Sequence, residues 1–187
     1  MEKHVTTNPQ EKGLNRNTLD KYYTKHEIVK LVVNLVKQFI NIDCNDLIIE
    51  PSAGNGSFIP ELKKFNCNCK FFDIQPEHNS IENIDYLKIE NSKLKVHSSS
   101  GKIHVIGNPP FGRQSSLAIK FIKKSCEFCD SFSFILPKSF KKDSLKKHIP
   151  LNFHCLHEEN IPDNSFLVDS QEHDVPCIFQ IYMKNKL

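Results

Sequence analysis

The chain has 187 residues, of which 39% are hydrophobic and 25% are charged, and its formal net charge is +3. This length and composition are typical of one globular domain with a full hydrophobic core. They exclude a membrane-spanning protein, because no apolar run approaches the ~18 residues that a spanning helix needs. No hydrophobic segment follows residues 1–4, so we expect an intracellular protein, cytoplasmic or nuclear, with no membrane partner. The mild positive charge permits a nucleic-acid partner without requiring one.

Residues 1–18 lack hydrophobic periodicity, and we predict a flexible arm there, ahead of a single domain over residues 19–187. Thr24 and Glu27 have the spacing of a capping box, and apolar residues at helical spacing follow from Ile28 to Phe39. A further helix is predicted around residues 117–122. Buried strands are predicted at residues 47–49, 70–72, 84–86 (weakly), 102–107, 132–136, 153–156 and 177–183. This alternation predicts an α/β fold with a mostly parallel sheet and helices on both faces.

Seven cysteines are an odd number in a chain with no export signal, so we expect reduced thiols. Two pairs, Cys67 with Cys69 and Cys126 with Cys129, could supply four zinc ligands. Neither pair forms a compact knuckle, and Cys126 falls on a predicted helix. We therefore expect buried hydrophobic roles for these side chains and no metal.

The segment Asn108-Pro109-Pro110-Phe111 follows the predicted strand that ends at Gly107. Consecutive prolines lack N–H groups and have a fixed φ, so they hold the chain stiffly as it leaves the strand. A backbone carbonyl and the Asn108 amide would then offer two acceptors beside an aromatic ring. That arrangement suits an amino group on a flat ring such as adenine. A rigid strand exit with a core phenylalanine is the structural alternative.

The segment from Glu50 to Phe58 (EPSAGNGSF) joins a predicted strand to a helix. Gly54 and Gly56 permit a tight turn and the close approach of a ligand. The third glycine of a dinucleotide fingerprint and the lysine of a P-loop are both missing. Glu50 would repel a phosphate, so it favours a cationic ligand. An ordinary strand-to-helix turn is the alternative.

Acidic residues also follow the second and third predicted strands. Asp73 is placed to accept hydrogen bonds from ribose hydroxyl groups, and Ile74 beside it could pack on an adenine ring. Asp85 could accept a hydrogen bond from an exocyclic amine on that adenine. Either aspartate could equally be a turn residue.

Four segments in this order resemble the class I S-adenosylmethionine-dependent methyltransferases, specifically the N6-adenine amino-methyltransferases. They are the E-P-x-A-G-x-G-x-F segment, the acid after the second strand, D-Y-L after the third strand and N-P-P-F after the fourth. Residues 19–24 (LDKYYT) are similar to that group's leading motif, which contacts the methionine end of the cofactor. The resemblance implies a Rossmann-like, seven-stranded, mostly parallel sheet whose last strand is antiparallel. It also implies S-adenosylmethionine as cofactor, with contacts from Tyr22, Thr24, Glu50, Pro51, Ala53, Gly54, Gly56, Phe58, Asp73, Ile74, Asp85, Tyr86 and Asn108.

The same resemblance implies a catalytic role for Asn108, Pro109, Pro110 and Phe111. The Asn108 side-chain oxygen and the Pro109 carbonyl would accept the two N–H groups of N6. Those bonds would stabilise the charge that develops on nitrogen in the transition state. Phe111 would stack on the target base.

Two later segments could contact a nucleic-acid substrate. Lys138 and Lys141 belong to a lysine cluster after the fifth strand that could follow a phosphate backbone, or could be a solvated helix face. Phe166 could complete an aromatic sandwich around the target base, as a second aromatic does in the family, or could be a core residue.

The chain departs from the family in one respect. Sequence-specific DNA adenine methyltransferases usually carry a separate target-recognition domain, and no insertion here exceeds ~20 residues. We therefore expect an RNA substrate, an extruded or single-stranded adenine, or DNA read with the help of a target-recognition subunit. An N5-glutamine protein methyltransferase and a non-catalytic binding subunit with the same fold are the alternatives.

Overall fold

The computed structural model describes residues 22–94, 101–168 and 170–185, so the predicted arm over residues 1–18 lies outside the described residues. The helices are α1 (His26–Phe39), α2 (Ile59–Leu62), α3 (Ser116–Cys126) and α4 (Asp143–Lys146). The strands are β1 (Tyr23–Thr24), β2 (Leu47–Glu50), β3 (Asn68–Asp73), β4 (Glu82–Asn83), β5 (Ile103–Gly107), β6 (Ser131–Pro137), β7 (Phe153–Asn160), β8 (Phe166–Val168), β9 (Gln171–His173) and β10 (Cys177–Lys184).

Seven of these strands form one sheet in the order β4-β3-β2-β5-β6-β10-β7. The last strand, β10, runs antiparallel to β6 and β7, while the pairings among β2 to β6 are parallel. This arrangement confirms the expected Rossmann-like α/β fold with a mostly parallel sheet and an antiparallel last strand. Parallel strands end at one edge of the sheet, which is where such folds bind their ligands.

Helices cover the sheet on both faces. Successive residues of a strand point to opposite faces, so Ile48 of β2 packs into the core that includes α1, and Ile49 into the core that includes α3. Both side chains are fully buried. Because the strand is buried on both faces, its sequence is a continuous apolar run rather than an alternating pattern.

The capping box predicted at Thr24 is wrong. Helix α1 begins at His26, and no side chain caps its N-terminus. Thr24 lies instead in β1, where it pairs with Phe166 of β8. Pairing within a second sheet, in the order β1-β8-β9, has overridden the local helix signal. The sequence did not predict this sheet.

The weak strand predicted near residues 84–86 is displaced. The two residues of β4 make the parallel pairing with β3, and a 3-10 turn begins at Tyr86. The Oδ1 atom of Asp85 accepts a hydrogen bond from the Leu87 N–H (3.1 Å), which caps that turn. The chain therefore leaves the sheet before the predicted strand would begin.

All seven cysteines are free thiols. Within the described ranges, no group of three or more His, Cys, Asp or Glu side chains is arranged to hold a metal ion. The helices seen there all lack the length and apolar character that a bilayer crossing requires.

Candidate active site

A cavity of about 840 Å³ lies at the carboxyl ends of β2, β3 and β5. Its volume is within the usual range for small-molecule sites, roughly 300–1,000 Å³. The predicted site residues in its wall are Tyr22, Thr24, Glu50, Pro51, Ala53, Gly54, Phe58, Asp73, Ile74, Asp85, Tyr86, Asn108, Pro109, Pro110 and Phe111.

Asn108 follows β5, and hydrogen bonds hold its side chain in one orientation. Its Nδ2 atom donates to the carbonyl oxygen of Tyr22 (3.4 Å) and to Oγ1 of Thr24 (3.2 Å). A carbonyl oxygen can only accept, so the amide turns its nitrogen toward Tyr22. The other amide atom, Oδ1, is buried and has no hydrogen-bond partner among the described residues. A buried acceptor with an unmet hydrogen bond is suited to a ligand that donates one.

Glu50 ends β2 and lines the same cavity. The residue is 1% exposed, and its Oε2 atom also has no hydrogen-bond partner in the described part of the chain. Burial raises the pKa of Glu50 well above its usual value, and the charge of Asp73 raises it further. A cationic ligand group would relieve both effects, because it would stabilise the ionised carboxylate.

The turn after β2 brings the backbone close to Asp73. Gly54 has a left-handed φ of 52°, and a Cβ atom there would lie 3.1 Å from Cε1 of Tyr23, so glycine suits the position. The Gly54 N–H donates to Oδ2 of Asp73 (2.8 Å), and the Gln75 N–H donates to Oδ1 (2.8 Å). Each carboxylate oxygen can accept another hydrogen bond. Asp73 therefore keeps capacity for the hydroxyl groups of a ligand.

Other predicted residues contribute in different ways. Ile74 is 54% exposed, which leaves its side chain available to a flat apolar ligand surface. Phe58 and Tyr86 are almost fully buried, so they support the cavity wall from the core. Asp85 caps its turn and forms an ion pair with Lys88 (3.2 Å). Its carboxylate is thus used locally, although the residue lines the cavity.

The N-P-P-F segment continues into a tight loop. The carbonyl oxygen of Phe111 accepts a hydrogen bond from the Leu117 N–H (3.1 Å) at the start of α3. This hydrogen bond closes a loop in the cavity wall that carries both the half-buried Phe111 and the exposed Arg113. Three residues of the loop have left-handed φ values: Gly112, Gln114 and Ser115.

Phe166 lies outside the cavity wall. It is 1% exposed and packs edge-on against Tyr22, with ring centroids 6.3 Å apart. A base cannot stack on a ring that is buried to this extent. The structure thus places Phe166 in the core behind Tyr22 rather than at the substrate, and its burial is the physical reason.

Three further predicted residues are also absent from the cavity wall. Gly56 shapes the turn, because a Cβ atom there would lie 2.9 Å from Cδ1 of Ile59. Lys141 forms an ion pair with Glu158 (3.3 Å), which neutralises part of its charge. Lys138 is exposed after β6, at the same edge of the sheet as the cavity.

Sequence reasoning missed several cavity residues. Ser52 occupies an unspecified position of the E-P-x-A-G motif, yet its hydroxyl donates to the Asn108 carbonyl oxygen (3.1 Å). Tyr23 lines the cavity, and its hydroxyl donates to Glu77. Arg113 directly follows N-P-P-F-G and is one of two arginines in the chain, so its position in the sequence could have indicated a residue of the cavity wall.

Comparisons with known proteins identify the family and the fold of the chain. A family model for the EDM2 methyltransferase-like domain matches residues 42–174. A curated relative, Protein ENHANCED DOWNY MILDEW 2 of Arabidopsis thaliana, is 28% identical over 125 residues. The match covers 62% of this chain but spans only 9% of the length of that relative.

Solved structures show the same fold. PH1948 of Pyrococcus horikoshii, described as a "putative RNA methyltransferase", superposes with a TM-score of 0.69 at 15% identity over 90% of this chain and 88% of that one. SMU.1697c of Streptococcus mutans, described as a "putative methyltransferase" in complex with SAH, gives a TM-score of 0.53 at 15% identity over 83% of this chain and 96% of that one. At this identity the likeness concerns the fold alone. The family match spans more than half of the chain, so the chain belongs to the EDM2 methyltransferase-like domain family.

Proposed function

We propose that this chain transfers a methyl group from S-adenosylmethionine to the exocyclic N6 amine of adenine in a nucleic acid, RNA or DNA. Membership of a methyltransferase-like family supports the reaction class. The fold that it shares with a protein crystallised with SAH supports the cofactor. The residues of the cavity support the choice of an amine as acceptor.

The cavity fits S-adenosylmethionine in its charge and shape. The ligand carries a sulfonium and an ammonium group, and Glu50 and Asp73 supply negative charge in the same cavity. Asp73 keeps lone pairs for the ribose hydroxyl groups, while Ile74 offers an exposed apolar surface to the adenine ring. Gly54 has a left-handed φ and carries no side chain, which allows a ligand to lie close to the backbone.

When bound, S-adenosylmethionine supplies an electrophilic methyl group on its sulfonium sulfur. The residues of the chain then act on the acceptor amine. Asn108 Oδ1 and the Pro109 carbonyl oxygen accept its two N–H groups, so its lone pair is less delocalised into the ring and positive charge on nitrogen is stabilised. Holding the amine in place adds a proximity contribution. The methylated nitrogen is acidic enough to lose its proton to water afterwards.

The substrate class is supported by the wall around this acceptor. Phe111 provides an aromatic ring on which a base can stack, a contact that contributes about 1–3 kcal/mol per base. Arg113 lies on the same loop, and within the described ranges its guanidinium group makes no ion pair or hydrogen bond. A free guanidinium beside a stacking ring suits a polyanion. PH1948, with the same fold, is described as acting on RNA.

The observation that carries the proposal is the unmet acceptor on Asn108. An amide oxygen that is buried in a cavity and has no hydrogen-bond partner among the described residues is costly in the unliganded protein. A primary aromatic amine provides the N–H that this oxygen lacks.

The proposal is tested by tritium transfer from labelled S-adenosylmethionine to pooled RNA, DNA and protein. We expect label that nuclease removes and protease leaves. Label that only protease removes would instead support glutamine methylation. Cofactor binding without any label would support a non-catalytic subunit.

A further inference from the structure

We infer that Thr24 is a positioning residue, whose hydroxyl oxygen holds the Asn108 amide nitrogen in the orientation that the Tyr22 carbonyl oxygen selects, with Oδ1 facing the substrate amine. This inference rests on the proposed function and goes beyond it. Sequence reasoning gave Thr24 a helix cap and a contact with the cofactor. The structure places its Oγ1 atom, in the cavity wall, 3.2 Å from Nδ2 of Asn108.

An asparagine amide has two ends with opposite hydrogen-bonding character. Turned one way it presents an acceptor to the cavity, and turned the other way it presents two donors. Donors would repel the N–H groups of an amine. The Tyr22 carbonyl oxygen at 3.4 Å opposes the turn because it can only accept, and Thr24 Oγ1 at 3.2 Å holds the same nitrogen in place. The Tyr22 contact is at the long limit of hydrogen bonding, so Thr24 makes the stronger one.

The position of Thr24 is itself well fixed. Its residue is 4% exposed, and its backbone pairs with Phe166 in the β1–β8 ladder. Phe166 in turn packs against the ring of Tyr22. The small β1-β8-β9 sheet therefore holds Thr24, and Tyr22, the other residue that contacts the Asn108 nitrogen, directly precedes β1. The buried Phe166 thus supports the two residues that hold the Asn108 side chain.

The test compares Thr24→Val, which keeps the shape but removes the acceptor, with Thr24→Ser, which keeps the hydroxyl. Loss of one neutral hydrogen bond should lower kcat by about tenfold in Thr24→Val. Calorimetry should find S-adenosylmethionine affinity within about threefold of the original chain, because Glu50, Asp73 and the other expected cofactor contacts are retained. Thr24→Ser should restore most of the turnover. If the threonine acted by binding the cofactor, affinity would fall and kcat at saturation would hold.

A second readout needs no activity. The side-chain NH₂ signals of Asn108, assigned by their loss in Asn108→Asp, report on the amide directly by ¹⁵N NMR of the ligand-free protein. We expect slow hydrogen exchange in the original chain and in Thr24→Ser, and faster exchange in Thr24→Val. Unchanged exchange in a folded Thr24→Val protein overturns the inference. If the chain labels no nucleic acid yet shows this exchange pattern, the proposed function is contradicted, while the positioning of the Asn108 amide by Thr24 remains supported.

Discussion

Two buried oxygen atoms define the chemistry of the cavity at the scale of single residues. Oε2 of Glu50 and Oδ1 of Asn108 are both buried and unpartnered among the described residues. Native proteins leave few such atoms, and those that occur are often at functional sites. Glu50 is suited to a cation and Asn108 to a hydrogen-bond donor, which are the two kinds of group that methyl transfer to an amine brings together.

Replacing Asn108 with alanine tests the acceptor. We expect turnover to fall by about a hundredfold or more, as when one transition-state hydrogen bond is removed. S-Adenosylmethionine affinity should stay within about tenfold. Steady-state kinetics and calorimetry measure the two quantities. Equal losses of turnover and affinity would contradict a role in the transition state.

The raised pKa of Glu50 predicts proton release on cofactor binding. In the unliganded protein burial favours the protonated carboxyl, and Asp73 adds to this effect. A bound cation favours the carboxylate, so a proton leaves and affinity should rise with pH until the raised pKa is passed. Calorimetry in two buffers of different ionisation enthalpy counts the protons. A binding enthalpy that is the same in both buffers would argue against this assignment.

Glu50→Gln is the matched variant, because it removes the charge and keeps the shape. A carboxyl group whose pKa is higher in the folded protein than in the unfolded chain stabilises the folded protein when the pH is below its unfolded-state pKa. That stability is lost as the pH rises through the folded-state pKa. We therefore expect Glu50→Gln to raise the unfolding midpoint at pH 8 while weakening cofactor binding by about tenfold or more. Cofactor binding by Glu50→Gln should vary less with pH than binding by the original chain.

Asp73 has the complementary role in binding. We expect Asp73→Ala to weaken S-adenosylmethionine binding by about tenfold or more, since a carboxylate hydrogen bond contributes about 1.5–3 kcal/mol. Turnover at saturating cofactor should change little. Asp73→Asn, which can still accept from the Gly54 N–H, separates loss of charge from loss of the turn. Unchanged affinity in Asp73→Ala would remove this residue from the site.

At the scale of elements, the candidate site residues Glu50 and Asp73 end their strands, Asn108 follows β5, and Phe111 begins the loop that α3 closes. Asn108, Asp73 and Glu50 were predictable, because each stands at the end of a buried apolar run and parallel strands end at one edge. The link between Thr24 and Asn108 was not, because 84 residues separate them. A local pattern predicted that Thr24 caps a helix, whereas the pairing of β1 with β8 places it in a strand.

The loop from Phe111 to Ser115 carries the predicted contact with nucleic acid. We expect Arg113→Gln to lower the slope of log affinity against log salt, for a single-stranded oligonucleotide, by about 0.7. S-Adenosylmethionine affinity should not change. Lys30→Gln, at an exposed position on α1 outside the cavity wall, is the control and should leave the slope as it is. Fluorescence anisotropy at several salt concentrations measures both variants, and an Arg113→Gln slope equal to the control would remove the contact.

At the scale of the whole molecule, a second polar network lies at the opposite edge of the sheet. His104 Nδ1 is 2.7 Å from Ser131 Oγ, and its Nε2 is 3.2 Å from Asp46 Oδ2. All three residues are buried near the amino ends of the parallel strands. Burial lowers the pKa of His104, although the Asp46 carboxylate partly opposes that shift.

This network predicts how stability depends on pH. When a histidine has a lower pKa in the folded protein than in the unfolded chain, its contribution to stability is complete at pH values above the unfolded-state pKa, about 6.5. The protein becomes less stable as the pH falls below that pKa. We expect urea midpoints to fall from pH 7.5 to pH 5.5. His104→Gln should cost about 1–3 kcal/mol at pH 7.5 and show a weaker pH dependence. Its cofactor affinity should be unchanged, since the cavity is at the other edge. An equally steep pH dependence in both proteins would exclude His104 as the cause.

Nucleoside mass spectrometry identifies the atom that accepts the methyl group, which we propose is N6 of adenine. RNA and DNA are incubated with the chain and S-adenosylmethionine carrying a deuterated methyl group, then digested to nucleosides. We predict a deuterium-labelled N6-methyladenine nucleoside whose initial rate of formation falls by about a hundredfold or more with Asn108→Ala. Label on another base or another adenine position, or none in nucleic acid from a chain that binds the cofactor, would contradict the account.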